Sequence, residues 1–324
     1  MGNLSDIGSR KPGARARVRY LTVSPEHAGQ RLDNFLLREL KGLPKSRVYR
    51  LVRRGEVRVN LGRAKAGYRL KGGDTVRIPP LRLGTPEETP VATHLDTGRV
   101  LFEDQHLLVL DKPSGVTVHK GTGVHAGVIE ALRARRPELP FLELVHRLDR
   151  DTSGCLILAK SRVALTALHA ALRRDAAGPT VAKHYLALVR GDPGAGPIRV
   201  RAGLRKNATR GGERVVVVAE GGSGAETIFR AERRGAVLSL VDIELLTGRT
   251  HQARVHAAHI GHPIAGDGKY GDREFNKSVR DQGIRRLALH AHTLEFMHPV
   301  TGRRCWIEAP PPAIFEAVGD GAVE

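Results

Sequence analysis

Residues 142–159 read Leu-Glu-Leu-Val-His-Arg-Leu-Asp-Arg-Asp-Thr-Ser-Gly-Cys-Leu-Ile-Leu-Ala. Two apolar pieces, 142–145 and 155–159, bracket a densely charged stretch from His146 to Gly154. Residues 156–159 read as a buried strand. A loop this charged between apolar segments is either a solvated turn or a site on a rigid scaffold. Asp151, Thr152, Ser153 and Gly154 are ordinary turn formers, and the first reading suffices for them. It does not suffice for Arg147 and Asp149, which point the same way if the segment is extended. An Asp beside a guanidinium suits a nucleophile rather than a general acid.

Working outward, residues 100–102, 107–110, 185–189, 215–219, 227–232 and 238–245 read as strands. Residues 127–134, 162–174 and 252–259 read as helices, the second with Val163, Leu165, Leu168 and Leu172 on a broad apolar face. Residues 111–115 read as a turn, and Gly221-Gly222-Ser223-Gly224 as a hairpin connection. The strands are short and do not alternate regularly with helices. This points to an α+β domain on a mixed, largely antiparallel sheet with flanking helices, not to a doubly wound parallel sheet.

A smaller α+β unit precedes it. Residues 28–40 place Leu32, Phe35, Leu36 and Leu40 on one helical face. Residues 46–54 form a second helix, with Val48, Leu51 and Val52 on one side and Arg47, Arg50 and Arg54 on the other. Gly55 ends it. Residues 56–60 and 74–78 alternate as half-buried strands do. The expected division is a flexible basic arm over 1–19, this unit over 20–84 and a Pro-rich linker over 85–98. The large domain follows over 99–318, with a tail over 319–324.

The formal net charge is +19. It is uneven, for residues 1–84 hold 20 Lys/Arg against 6 Asp/Glu, and the rest hold 33 against 28. A basic excess gathered at one end implies an anionic partner such as a nucleic acid. Aromatics make up only 4% of the chain, so a surface of many stacked rings is excluded and each Tyr becomes more informative. Cys155 and Cys305 make neither a disulfide framework nor a cysteine zinc site. His251, His256, His259 and His262 lie close together but lack an HExxH pattern, so no metal is expected. The start MGNLSDIGSRKPG has no apolar h-region and carries Asp6 where a myristoylation signal needs Ser or Thr. No run approaches the ~18 apolar residues of a membrane span. A soluble, cytoplasmic protein without a membrane partner is expected, and nothing demands more than a monomer.

The stretch HRLDRDTSG resembles the signature of the RluA family of pseudouridine synthases. Lys183-His184-Tyr185-Leu186-Ala187-Leu188-Val189-Arg190-Gly191 is similar to that family's second motif. Thr247-Gly248-Arg249-Thr250-His251-Gln252-Ala253-Arg254-Val255-His256 is similar to its third, continued by His262-Pro263-Ile264-Ala265-Gly266-Asp267. Residues 20–84 resemble an S4 RNA-binding domain through Gln30-Arg31-Leu32-Asp33, Lys45-Ser46 and Gly55-Glu56-Val57. Together the likeness spans residues 20–316. It departs at Ala253, which replaces the usual larger aliphatic.

The resemblance implies isomerisation of uridine to pseudouridine in large-subunit (23S) ribosomal RNA, free or in a pre-ribosomal particle, without a cofactor. It makes Asp149 the nucleophile, Tyr185 the active-site tyrosine and Arg254 the partner of the nucleophile. Arg147, Arg249 and His251 are then expected near the bound nucleotide. Arg47, Arg50 and Arg54 are expected to meet RNA from the S4-like unit.

Overall fold

The computed structural model describes residues 17–40, 43–81, 94–120, 126–173, 180–210 and 213–317. The chain divides into two compact units, residues 1–89 and 90–324. Residues 1–16 of the expected arm, residues 85–93 of the expected linker and residues 319–324 of the expected tail lie outside the described residues.

The first unit runs β1 (Arg19–Thr22), α1 (Leu32–Glu39), α2 (Lys45–Arg54), β2 (Arg58–Val59), β3 (Gly62–Arg63) and β4 (Thr75–Ile78). Its antiparallel sheet has the order β1-β4-β2-β3. Leu32, Phe35, Leu36 and Leu40 are buried together with Val48, Leu51 and Val52 of α2. Helix α1 starts later than residue 28, because Gly29 has φ 78° and Arg31 bridges Arg69. Asp33 is 2% exposed, and the Arg31 guanidinium and Tyr49 hydroxyl donate to its carboxylate. Such pairing is what a buried charge requires. Helix α2 stops at Gly55, whose φ of 73° makes the left-handed cap. The arm expected to end at residue 19 is already a strand there, since Arg19 pairs with Ile78.

The second unit runs β5 (Arg99–Glu103), β6 (Leu107–Lys112), α3 (Val128–Arg135), β7 (Glu143–Leu144), β8 (Ser153–Ala159) and α4 (Arg162–Arg173). It continues through β9 (Ala182–Arg190), β10 (Ile198–Arg201), β11 (Leu204–Arg210), β12 (Glu213–Val218), β13 (Glu226–Arg233) and β14 (Leu238–Leu245). Helices α5 (Gln252–His259) and α6 (Arg273–Ser278) and strands β15 (Leu289–Met297) and β16 (Arg304–Glu308) complete it. The main sheet has the order β10-β13-β14-β9-β15-β8-β6-β5, with β7 added on β8 and β16 on β15. Among the described residues, only the β15–β8 pairing is parallel. Strand β8 is buried along its whole length. Thr97, in the segment expected as linker, is buried and accepts from the Arg135 guanidinium on α3.

Strand β15 lies at the centre of the sheet, and its apolar alternation changes phase between Leu289–Ala291 and Leu294–Phe296, where a bulge shifts the register. His290 and Thr293 interrupt the apolar run. His290 is buried because Ser153 Oγ and the Ala309 carbonyl bond its two ring nitrogens. Strand β8 approaches β15 so closely that Gly154 cannot be replaced. It has φ 103°, and a Cβ there would stand 2.2 Å from the Ala291 oxygen.

Two local expectations are corrected. Val163 is 65% exposed, so the apolar face of α4 is narrower than its composition suggests. The segment 221–224 is not a hairpin turn, since β12 pairs with β11 and β13 with β10 and β14. It links the separate two-stranded ribbon to the sheet, and Ser223 bridges Leu204.

Candidate active site

The loop between β7 and β8 carries Asp149, and polar ties fasten it to the end of β6 and the turn that follows. Gly115 N donates to the Arg150 carbonyl at 2.9 Å. Ser114 Oγ donates to the Asp151 carbonyl at 2.7 Å. Lys112 is fully buried at the end of β6, and its Nζ donates to the carbonyls of Pro113, Val116 and Arg150 at 2.7, 2.8 and 3.1 Å. Burial pushes its ammonium down to about 8, against the pull of Asp151 and Asp149. On the other side of Asp149, His146 Nε2 accepts the Ile157 N–H at 3.1 Å. Burial, helped by the Lys183 charge, lowers this imidazole to about 3 and keeps it neutral.

Helix α5 supplies Arg254. Its Nη1 donates to Asp149 Oδ2 at 3.1 Å. Its Nε and Nη2 donate to the two oxygens of Asp267, each at 2.8 Å. Burial works against both charges. The hydrogen bonds and attraction between them outweigh it, so Asp267 is held below the usual carboxylate range and Arg254 above its own. Asp267 Oδ1 also takes the backbone N–H of Lys269 and Tyr270. The guanidinium lies 5.0 Å over the Tyr270 ring, a favourable cation–π distance.

His251 is the residue before α5 and has φ 55°, a backbone conformation that a non-glycine residue adopts at a cost. This geometry brings its Nε2 to 3.7 Å from Asp149 Oδ1. Gln252 fastens the turn behind it. Its Oε1 accepts from Thr247 Oγ1 and Arg249 N, while its Nε2 donates to the Glu226 carbonyl and Thr227 Oγ1.

Tyr185, on β9, is 8% exposed and lines the same pocket as Asp149, His251 and Arg254. Burial raises its phenol well above the ordinary value, and the Asp149 charge adds to this. The hydroxyl therefore stays protonated.

The pocket at Asp149 shares Arg147, Tyr185 and Arg249 with a cleft of about 1230 Å³. Arg147, Arg150, Arg173, Lys183 and Arg249 line that cleft, against Asp149 as its one carboxylate among the described residues. Arg147 is exposed, and Arg249 donates from Nε to the Gly224 carbonyl. The structure thus brings together Asp149, Tyr185, Arg254, Arg147, Arg249 and His251. Arg47, Arg50 and Arg54 belong to the first unit, where all three are exposed on α2. The histidines of the 251–262 run have separate roles: His251 meets Tyr270, His256 meets Thr227 and His262 meets the Arg190 carbonyl.

Three residues of the site carried no role in the sequence reading. Asp267 looked like the end of a motif, Tyr270 was not singled out, and Lys112 looked like part of a turn. Lys112 had no local signal, since it ends β6 between Asp111 and Pro113.

The model of the family described as RNA pseudouridylate synthase matches residues 106–259, and that of the S4 domain matches residues 30–76. The chain is 53% identical over 298 residues to ribosomal large subunit pseudouridine synthase C of Yersinia pestis, covering 90% of this chain and 92% of the relative. It is 51% identical over 300 residues to the protein of the same name from Escherichia coli strain K12, covering 90% and 93%. Among solved structures, human RNA pseudouridylate synthase domain containing 1 superposes with a TM-score of 0.54 at 27% identity, over 66% of this chain and 83% of that one. A buried, doubly held arginine aimed at one carboxylate, in a basic cleft, accompanies these likenesses, and the chain belongs to the RNA pseudouridylate synthase family, as an enzyme that carries an S4 domain ahead of its synthase domain.

Proposed function

We propose that this enzyme converts particular uridines of large-subunit (23S) ribosomal RNA to pseudouridine, with Asp149 as its nucleophile. The observation that carries the proposal is the Asp149–Arg254 pair beside a cleft whose other charged lining residues, among those described, are Arg147, Arg150, Arg173, Lys183 and Arg249. Such a cleft attracts the phosphates of an RNA chain. Relatives named for the large ribosomal subunit, at 51–53% identity, support the substrate.

The reaction breaks the N1–C1′ bond of uridine, turns the uracil and joins C5 to C1′. The C5 proton leaves and N1 gains one, so no external oxidant, reductant or group donor takes part. The Asp149 carboxylate either attacks C1′ or stabilises positive charge there while a glycal forms. Arg254 aims it, since Asp267 holds the guanidinium from behind. The target nucleotide must leave its stack, at a cost of about a few kcal/mol. The Tyr185 ring would pack against the extracted base. Arg147 and Arg249 would grip flanking phosphates, with His251 beside the sugar.

In this reading residues 20–84 form the RNA-binding domain, with Arg47, Arg50 and Arg54 on phosphates, and residues 99–318 form the catalytic domain. The enzyme would work as a monomer in the cytoplasm, on ribosomal RNA or a pre-ribosomal particle, without a cofactor. No helix among the described residues is long and apolar enough to cross a membrane. The test is tritium release from ribosomal RNA labelled at uridine C5. Release is expected with purified protein alone. A transcript that is bound but loses no tritium would refute the ribosomal substrate.

A further inference from the structure

Tyr270 touches both neighbours of the proposed nucleophile. Its ring lies under the Arg254 guanidinium and its hydroxyl stands 2.6 Å from His251 Nδ1. That hydroxyl also accepts the Val216 N–H at 3.1 Å. A phenol has one proton to give. The Val216 N–H fills part of the oxygen's acceptor capacity, and among the described residues Nδ1 is the acceptor that faces the phenol proton, so donation to the Nδ1 lone pair satisfies both groups. The neutral imidazole then carries its own hydrogen on Nε2, which is the nitrogen facing Asp149 Oδ1. Asp149 Oδ2 is already taken by Arg254. Burial lowers the basicity of His251, with Asp149 and Asp267 opposing and Arg254 and Lys269 assisting.

We propose that Tyr270 is a positioning residue for the reaction: it locks His251 as the Nε2–H tautomer, which turns Asp149 so that Oδ1 is the oxygen presented to C1′. The left-handed backbone at His251 supports this, because strain of that kind is spent on aiming a side chain. The inference rests on the reading of Asp149 as the nucleophile.

The test begins with the full-length enzyme labelled with nitrogen-15 at histidine. The His251 resonances, assigned by comparison with H251Q, should show a protonated Nε2 and an unprotonated Nδ1. A protonated Nδ1 in the wild type would overturn the proposal, whatever the activity. In Tyr270→Phe the tautomers should mix, and kcat for tritium release should fall about tenfold with KM little changed. His251→Gln places an amide N–H near the position of Nε2–H and needs no tautomer lock. In that background Tyr270→Phe should cost less than about twofold. An equal loss in both backgrounds would mean that Tyr270 acts only through packing, and would refute the lock. Activity retained by Asp149→Asn would refute the nucleophile instead, and would leave the wild-type tautomer spectrum unmoved.

Discussion

Asp267 holds Arg254 through two hydrogen bonds of 2.8 Å and leaves one guanidinium nitrogen, Nη1, for Asp149 at 3.1 Å. Asp267 and Arg254 are both buried, whereas Asp149 is only partly so. The inner pair is a fixed mount for the outer contact. Removing the inner carboxylate strands a buried cation. Asp267→Asn should therefore destabilise the fold by about 3 kcal/mol and reduce turnover about a hundredfold. Chemical denaturation and tritium release measure the two effects.

The same pair gives a pH dependence whose sign is set. Burial alone would raise the Asp267 carboxyl, but the Arg254 hydrogen bonds lower it overall. A lowered folded value means that its stabilisation is complete above the unfolded value of about 4 and is lost as pH falls through the folded one. Denaturation midpoints should fall more steeply below about pH 4 in the wild type than in Asp267→Asn. Equal acid slopes would count against the buried ion pair.

Asp149→Asn keeps the shape of the side chain and removes its charge. Turnover should fall by more than about 10⁴-fold, while affinity for ribosomal RNA, measured by filter binding, should change less than about threefold. Substantial residual turnover would take Asp149 out of the nucleophile role.

Lys112→Met keeps the buried stem and removes the ammonium that ties three carbonyls together. The Arg150 carbonyl keeps the Gly115 N–H, while the Pro113 and Val116 carbonyls lose this donor at about 1–3 kcal/mol each, partly offset by no longer burying a charge. The expected net loss is about 2 kcal/mol, with kcat falling more than KM rises because the loop carrying Asp149 loosens. A variant with wild-type kcat would show that the loop does not need this tie.

Deletion of residues 1–84 removes a net charge of +14. RNA binding should weaken, and the slope of log affinity against log salt should become shallower. A slope equal to that of the full chain would remove the N-terminal unit from the RNA interface.

Much of this was written locally in the chain. Helix α5 falls where the sequence places it, at residues 252–259, and the Leu32–Leu36–Leu40 and Val48–Val52 spacings mark faces that are indeed buried. Periodicity reports such faces because each depends on neighbours three or four residues away. Strand β15 was not legible, because its alternation changes phase at the bulge after Ala291 and its buried histidine is satisfied by partners far along the chain. His290 needs Ser153 and Ala309, and nothing near it in sequence reveals this.

By itself the sequence determined an α+β chain with a basic first unit, and it singled out Asp149, Tyr185 and Arg254 as a candidate site through a family likeness. The tertiary structure alone decided that Asp267 braces Arg254 where it meets Asp149, 105 positions away, and that Lys112 and Tyr270 belong to the same assembly. The physical reason is burial. A charge hidden from water must find its partners wherever the fold brings them, and no local pattern records which carboxylate or carbonyl that will be.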